Sequence, residues 1–162
     1  MNLNNEKVNI KSNYEFDIKI YESLFDNTEQ IVLAKGNIDN GEPVMVRVHV
    51  TDYFDNLFGE YGSDDASLNK SVEVIQEHGR GVLVLIRDSG KSIINRLITH
   101  SSSGDNKSEN EKDELRIYGM GAQILSELGV KEMILLTNTE WKFIGLEAYG
   151  IDIIETKLLS EL

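Results

Sequence analysis

Two stretches carry residue types suited to holding a phosphate anion, Arg87-Asp-Ser-Gly-Lys91-Ser92 and Thr137-Asn-Thr-Glu-Trp-Lys142. Each follows a short apolar run that reads as a buried strand. In open α/β sheets, ligands collect beyond the carboxyl ends of strands, where helix N-termini aim their N–H groups. Gly119-Met-Gly121 reads as the opening of a helix, a third place where bare backbone can approach a phosphate. Arg87, Lys91, Arg116 and Lys142 would form an anion cluster if the fold brings them together; the competing reading is four ordinary surface cations. Gly90-Lys91-Ser92 is not a P-loop, because the pattern requires an earlier glycine where Leu85 stands.

Metal and nucleophile chemistry find less support. The chain has no cysteine, so it forms neither a disulfide nor a thiolate-bound zinc. His49, His78 and His100 fall in three different elements without ligand spacing. His78 at a helix end suits the helix dipole, whereas His49 shares a strand face with Arg47. Asp52, Asp55, Asp64 and Asp65 are explained first by turns and caps. No metal or cofactor is expected from these residues.

Elements that would position such residues can be read from periodicity. Residues 1–13 are polar and are expected to form a flexible N-terminus ahead of one domain over 14–162. Tyr14, Phe16, Ile18 and Ile20 alternate with charged residues, the period of a half-buried strand. A second run covers 30–35. After Pro43, Val44, Val46, Val48 and Val50 share one face, with Met45, Arg47 and His49 on the other. These strands are spaced like an antiparallel meander. Leu68, Val72 and Ile75 recur at helical spacing behind the N-capping candidates Ser63, Asp64 and Asp65. An unalternating apolar run over 82–86 predicts a strand buried on both faces. Helices are expected over 92–99, 120–128 and 140–149, strands over 133–136 and 151–154, and a polar loop over 101–112 with nothing to bury. The fold class is α/β with a mixed sheet, antiparallel N-terminal strands being followed by strand–helix repeats.

Composition narrows the function classes. The net charge of −12 and aromatic content of 7% argue against a nucleic-acid binder, which needs cations for phosphates and rings for stacking. No apolar run approaches the roughly 20 residues of a membrane span. The first residues lack the apolar stretch of a signal peptide, so a cytoplasmic location is expected.

Longer segments resemble a known family. Arg47-Val-His49, Glu77-His-Gly79-Arg80-Gly81-Val82-Leu83 and Arg116-Ile-Tyr118-Gly119-Met-Gly121-Ala122-Gln123-Ile124-Leu125 are similar to GTP cyclohydrolase II. So are Leu135-Leu136-Thr137-Asn138 and Gly145-Leu146-Glu147-Ala148-Tyr149-Gly150, in the same order along nearly the whole chain. The resemblance implies an enzyme of riboflavin synthesis that opens the purine ring of GTP with loss of formate and pyrophosphate. It also implies a homodimer, and a zinc held by three cysteines that activates the attacking water. Here the three cysteine positions correspond approximately to Asp52, Gly62 and Asp64.

By the same resemblance, Arg116 matches an arginine set against the α-phosphate, and Glu114 replaces an aspartate beside it. Arg47, Thr137 and Lys142 match nucleotide contacts, and Lys91 stands for an arginine. Ser89 and Thr51 replace glutamates, and the segment before Arg116 is shortened to the polar run 101–112. The wording Glu114-Leu-Arg-Ile-Tyr-Gly119 resembles the zinc-less C-terminal domain of bifunctional riboflavin proteins, which follows a dihydroxybutanone phosphate synthase domain. These substitutions point to a degenerate domain with a structural or regulatory role, binding a nucleotide or pyrophosphate weakly. The alternatives are a residual nucleoside-triphosphate hydrolase or GTP cyclohydrolase II using Arg116, and a homodimerisation module.

Overall fold

The computed structural model describes residues 4–11, 14–23, 27–51, 63–87, 107–138 and 145–162. Within them, seven strands form one mixed sheet. In chain order they are β1 (Asn4–Lys11), β2 (Tyr14–Glu22), β3 (Glu29–Lys35), β4 (Val44–Thr51), β5 (Gly81–Arg87), β6 (Glu132–Thr137) and β7 (Asp152–Leu158). Helix α1 (Ser63–His78) joins β4 to β5, and α2 (Lys107–Glu127) precedes β6. Single 3-10 turns occupy Leu146–Tyr149 and Leu159–Glu161.

The spatial order is β1-β2-β3-β5-β4-β6-β7. β1, β2, β3 and β5 pair antiparallel, whereas β5, β4, β6 and β7 run parallel. The expected mixed sheet is therefore present, but the meander is not. β5 inserts between β3 and β4, so the valine strand pairs with β5 and β6 instead. Its physical reason is burial on both faces: Val44, Met45, Val46 and Arg47 are all buried, and a strand of that kind belongs in the sheet centre.

Two cores follow from the pleat. On one face Val44, Val46, Val82, Val84 and Ile86 meet Ile117, Ile124, Leu125 and Leu128, the apolar stripe of α2 and the residue after it. On the other, Met45, Leu83, Ile134 and Leu136 meet Val72 and Ile75 of α1. Each fully buried aliphatic side chain contributes roughly 1.5–3 kcal/mol of transfer free energy. The helices take opposite faces for a topological reason. The β4-to-β5 connection and the β5-to-β6 connection run in opposite directions across the sheet, and right-handed crossovers in opposite directions cover opposite faces.

Three expectations need correction. Asn4–Lys11 pairs with β2 as a strand, because the ladder satisfies its backbone groups although its composition is polar. Helix α2 begins at Lys107, so 107–112 is helical rather than loop. Glu and Lys are good helix formers, and propagating a helix from an anchored apolar stripe needs no burial of its own. In the expected helix over 140–149, Leu146–Tyr149 is a 3-10 turn bounded by left-handed Gly145 and Gly150. The expected helix over 92–99 lies outside the described residues. The α2 terminus follows the sequence reading, with Gly129 at φ +84 in a position where a β-carbon would lie 2.8 Å from Asp39 Cβ.

Candidate functional site

The opposed crossovers define where a ligand would enter. β4 and β5 are adjacent and parallel, yet the chain leaves β4 towards α1 and β5 towards α2. Their carboxyl ends, Thr51 and Arg87, are register partners side by side, at the kind of switch point beyond which ligands bind in open α/β sheets.

This strand end is held by side chains from both neighbours. The Thr51 hydroxyl donates to the Ile86 carbonyl at 3.2 Å. From β3, Gln30 Oε1 accepts the Arg87 backbone N–H at 2.6 Å, while its Nε2 donates to Thr28 Oγ1 at 2.7 Å. The last paired residues of β3 and β5 are Ile31 and Leu85, so the Gln30 amide takes over where the backbone ladder stops. Gln30 is fully buried, and sequence reasoning missed it. The available signal was an amide at the head of the apolar run Ile31-Val-Leu-Ala34, since a buried amide persists only when its polar atoms are paired.

Arg116 lies on α2, half-buried and next to Ile117, which packs in the core. Gly121 packs over β4 and β5, where an added β-carbon would lie 3.4 Å from Ile86 Cδ1 and 3.6 Å from Val48 Cγ1. Arg116 precedes it by roughly 7 Å of helix rise, towards the carboxyl ends of the strands. It is about three turns from Glu127 and so shares its stripe. Tyr21, buried on β2, has its hydroxyl pKa raised first by burial and then by the Glu127 charge. Thr137, buried at the end of β6, alternates with Leu136 and so sits on the α2 side.

Arg47 is not on that side. It alternates with Val46 and Val48 and occupies the α1 face of β4 beside His49, where both are buried. Its Nη1 donates to the Leu136 carbonyl at 3.4 Å. The sheet thus separates Arg47 from Arg116 and Thr137, and only a ligand resting on the strand ends could meet all three. Position 114 is in α2, but its side chain, like Lys91 and Lys142, lies outside the described residues. Gly119 and Gly121 are well inside α2 rather than at its start, and their N–H groups belong to the helix ladder. They cannot act as a phosphate cradle.

Histidine geometry also disfavours a shared metal. His49 aligns with Leu85 near the carboxyl ends, whereas His78 precedes Gly81 at the other end of the same strand. They are separated by at least ~13 Å of strand length.

With this geometry in view, the family model described as GTP cyclohydrolase II matches residues 4–157. The chain belongs to the GTP cyclohydrolase II family. The domain is similar to the riboflavin biosynthesis protein RibBA of Chlorobium phaeovibrioides, 39% identical over 91% of this chain and 38% of that protein. The Bacillus cereus (strain B4264) RibBA is 38% identical over 83% of this chain and 36% of its own length. The chain therefore spans well under half of these relatives. Among solved structures, RibBX, a two-domain 3,4-dihydroxy-2-butanone 4-phosphate synthase from A. baumannii, has a similar fold. Its TM-score is 0.53 at 20% identity, covering 96% of this chain and 39% of that one. No helix among the described residues of this GTP cyclohydrolase II-family domain is long and apolar enough to cross a membrane.

Proposed function

We propose that this GTP cyclohydrolase II-family domain binds a phosphate-bearing ligand weakly at the carboxyl ends of β4, β5 and β6 and does not open the purine ring. Its role would be structural or regulatory in riboflavin synthesis, fused to or associated with a dihydroxybutanone phosphate synthase domain. The observation that carries this reading is the complete absence of cysteine from a chain matched to the family over residues 4–157. A zinc site of three thiolates does not fit these residues: Asp52 and Asp64 are hard donors, Gly62 has no donor side chain, and the histidines at 49 and 78 are far apart. An attacking water without such a metal keeps the high pKa of bulk water, whereas metal binding would lower it to about 7. Phosphate binding has different requirements, and Arg116, Lys91 and Lys142 supply suitable cations.

The test is to incubate the purified protein with GTP while measuring formate release, metal content and pyrophosphate binding, beside Arg116→Ala. We expect no formate, no stoichiometric zinc, and weak pyrophosphate binding that Arg116→Ala reduces. Formate release at enzyme-like rates that disappears in Arg116→Ala would overturn the non-catalytic reading. A second reading, that the chain also pairs with a copy of itself, is favoured by the exposure of β7, where Ile153 and Ile154 are 37% and 51% accessible.

A further inference from the structure

β7 closes one side of the sheet, pairs only with β6, and leaves its outer edge open among the described residues. All five side chains from Asp152 to Thr156 are exposed, on both faces of the strand. Such an edge offers a row of backbone donors and acceptors to another strand. Register along β7 then decides what could pair with it. The ladder slips once, at Ile154, after which Glu155, Thr156, Lys157 and Leu158 align regularly with Ile134 to Thr137 of β6. Glu155 and Lys157 project together on the α1 side, 3.8 Å apart, while Thr156 and Leu158 project on the α2 side.

We infer that this edge takes the β7 edge of a second copy of the chain, antiparallel, about a two-fold axis through Thr156. This names the surface for the self-pairing reading above and rests on it. In this register Glu155 opposes Lys157 of the copy, Lys157 opposes its Glu155, Thr156 meets Thr156, and Ile154 meets Leu158. Glu155 and Lys157 then each meet an opposite charge both along their own strand and across the seam. Shifting the axis to Glu155 or Lys157 sets like charges directly opposite each other, and an axis at Ile154 sets Glu155 against Ile153. Opposed unlike charges, paired threonines and aliphatic pairs each favour the cross-strand arrangement, and opposed like charges disfavour it. An axis perpendicular to the sheet keeps both α2 helices on one face. It also brings Ile153 and the half-exposed Tyr149 of each copy towards the seam on that face.

Sedimentation of the full chain over a concentration series tests this, with circular dichroism as a folding control. Wild type is expected to be a concentration-dependent dimer. Glu155→Lys and Lys157→Glu should each weaken it by roughly three- to thirtyfold, and the double exchange should restore it to within about threefold. Ile154→Asp should weaken it further. A wild type that stays monomeric throughout removes both the self-pairing reading and this surface. A dimer whose affinity is unchanged in the folded single charge variants leaves self-pairing intact and overturns the β7 seam. Because Glu155 is exposed and Lys157 half-exposed, with circular dichroism checking each variant, the outcome does not depend on Ile154→Asp folding.

Discussion

Replacing the two glycines inside α2 by alanine discriminates between a structural helix and a phosphate cradle. Gly119 and Gly121 lie inside a helix that runs from Lys107 to Glu127. An interior glycine costs about 0.8–1.0 kcal/mol relative to alanine, because its unfolded backbone has more freedom to lose. Space for the methyl group sets the sign. At Gly121 the nearest atoms are Ile86 Cδ1 at 3.4 Å and Val48 side-chain carbons at 3.6 and 3.8 Å, ordinary van der Waals contacts. At Gly119 the nearest is the Tyr149 hydroxyl at 4.0 Å. Gly119→Ala should therefore stabilise by about 1 kcal/mol from propensity alone. Gly121→Ala should gain about 1–1.5 kcal/mol, since its methyl also leaves water. In thermal unfolding each kilocalorie corresponds to a rise of about 2–4 °C for a chain of this size.

Gly81→Ala is the matched control. Its β-carbon would lie 2.7 Å from Ile75 Cγ2 and 2.9 Å from the Met45 carbonyl, so overpacking should destabilise by about 1–3 kcal/mol. Urea unfolding and pyrophosphate titration of all three variants give the answer. Destabilisation by either α2 substitution would refute the packing argument. Stabilisation accompanied by complete loss of pyrophosphate binding would refute the claim that these N–H groups are spent within the helix.

The strand-end clamp and the buried tyrosine yield further expectations. Gln30→Leu strips the acceptor from the Arg87 N–H and should cost about 1–3 kcal/mol in urea unfolding, with faster amide exchange at Arg87; unchanged stability and exchange would dismiss the clamp. Tyr21 has its pKa raised above 10.0 by burial and by Glu127, so the unfolded chain ionises first as pH rises. Its contribution is fully present below the unfolded pKa and is lost as pH climbs through the folded value. Tyr21→Phe should flatten the alkaline loss of stability, and identical alkaline profiles for the two proteins would contradict the assignment. Glu42 behaves oppositely. Hydrogen bonding from Arg80, then its charge, lowers the Glu42 pKa, so whatever the pair contributes is present above the unfolded value and disappears as pH falls through the folded one. Glu42→Gln should remove that acid-side dependence, measured by unfolding between neutral and acid pH.

Local pattern carried much of this protein into view. The alternation in Val44 to Val50 placed Arg47 and His49 opposite the valines, and the α1 stripe of Val72 and Ile75 is the one that packs. These are short-range consequences of strand and helix periods, which residue order alone contains. Family membership was legible for the same reason, since its motifs are contiguous runs. The tertiary structure decided everything that depended on which strands become neighbours. A valine strand reads identically whether it follows β3 in a meander or lies beyond β5, and only burial of both its faces in the assembled sheet selects the second. That choice sets Thr51 beside Arg87 at the strand ends, brings Gln30 onto the Arg87 N–H, and puts the sheet between Arg47 and Arg116. It also explains β1: a polar segment became a strand because β2 offered it a hydrogen-bonding edge, a partner that lies outside the segment's own residues.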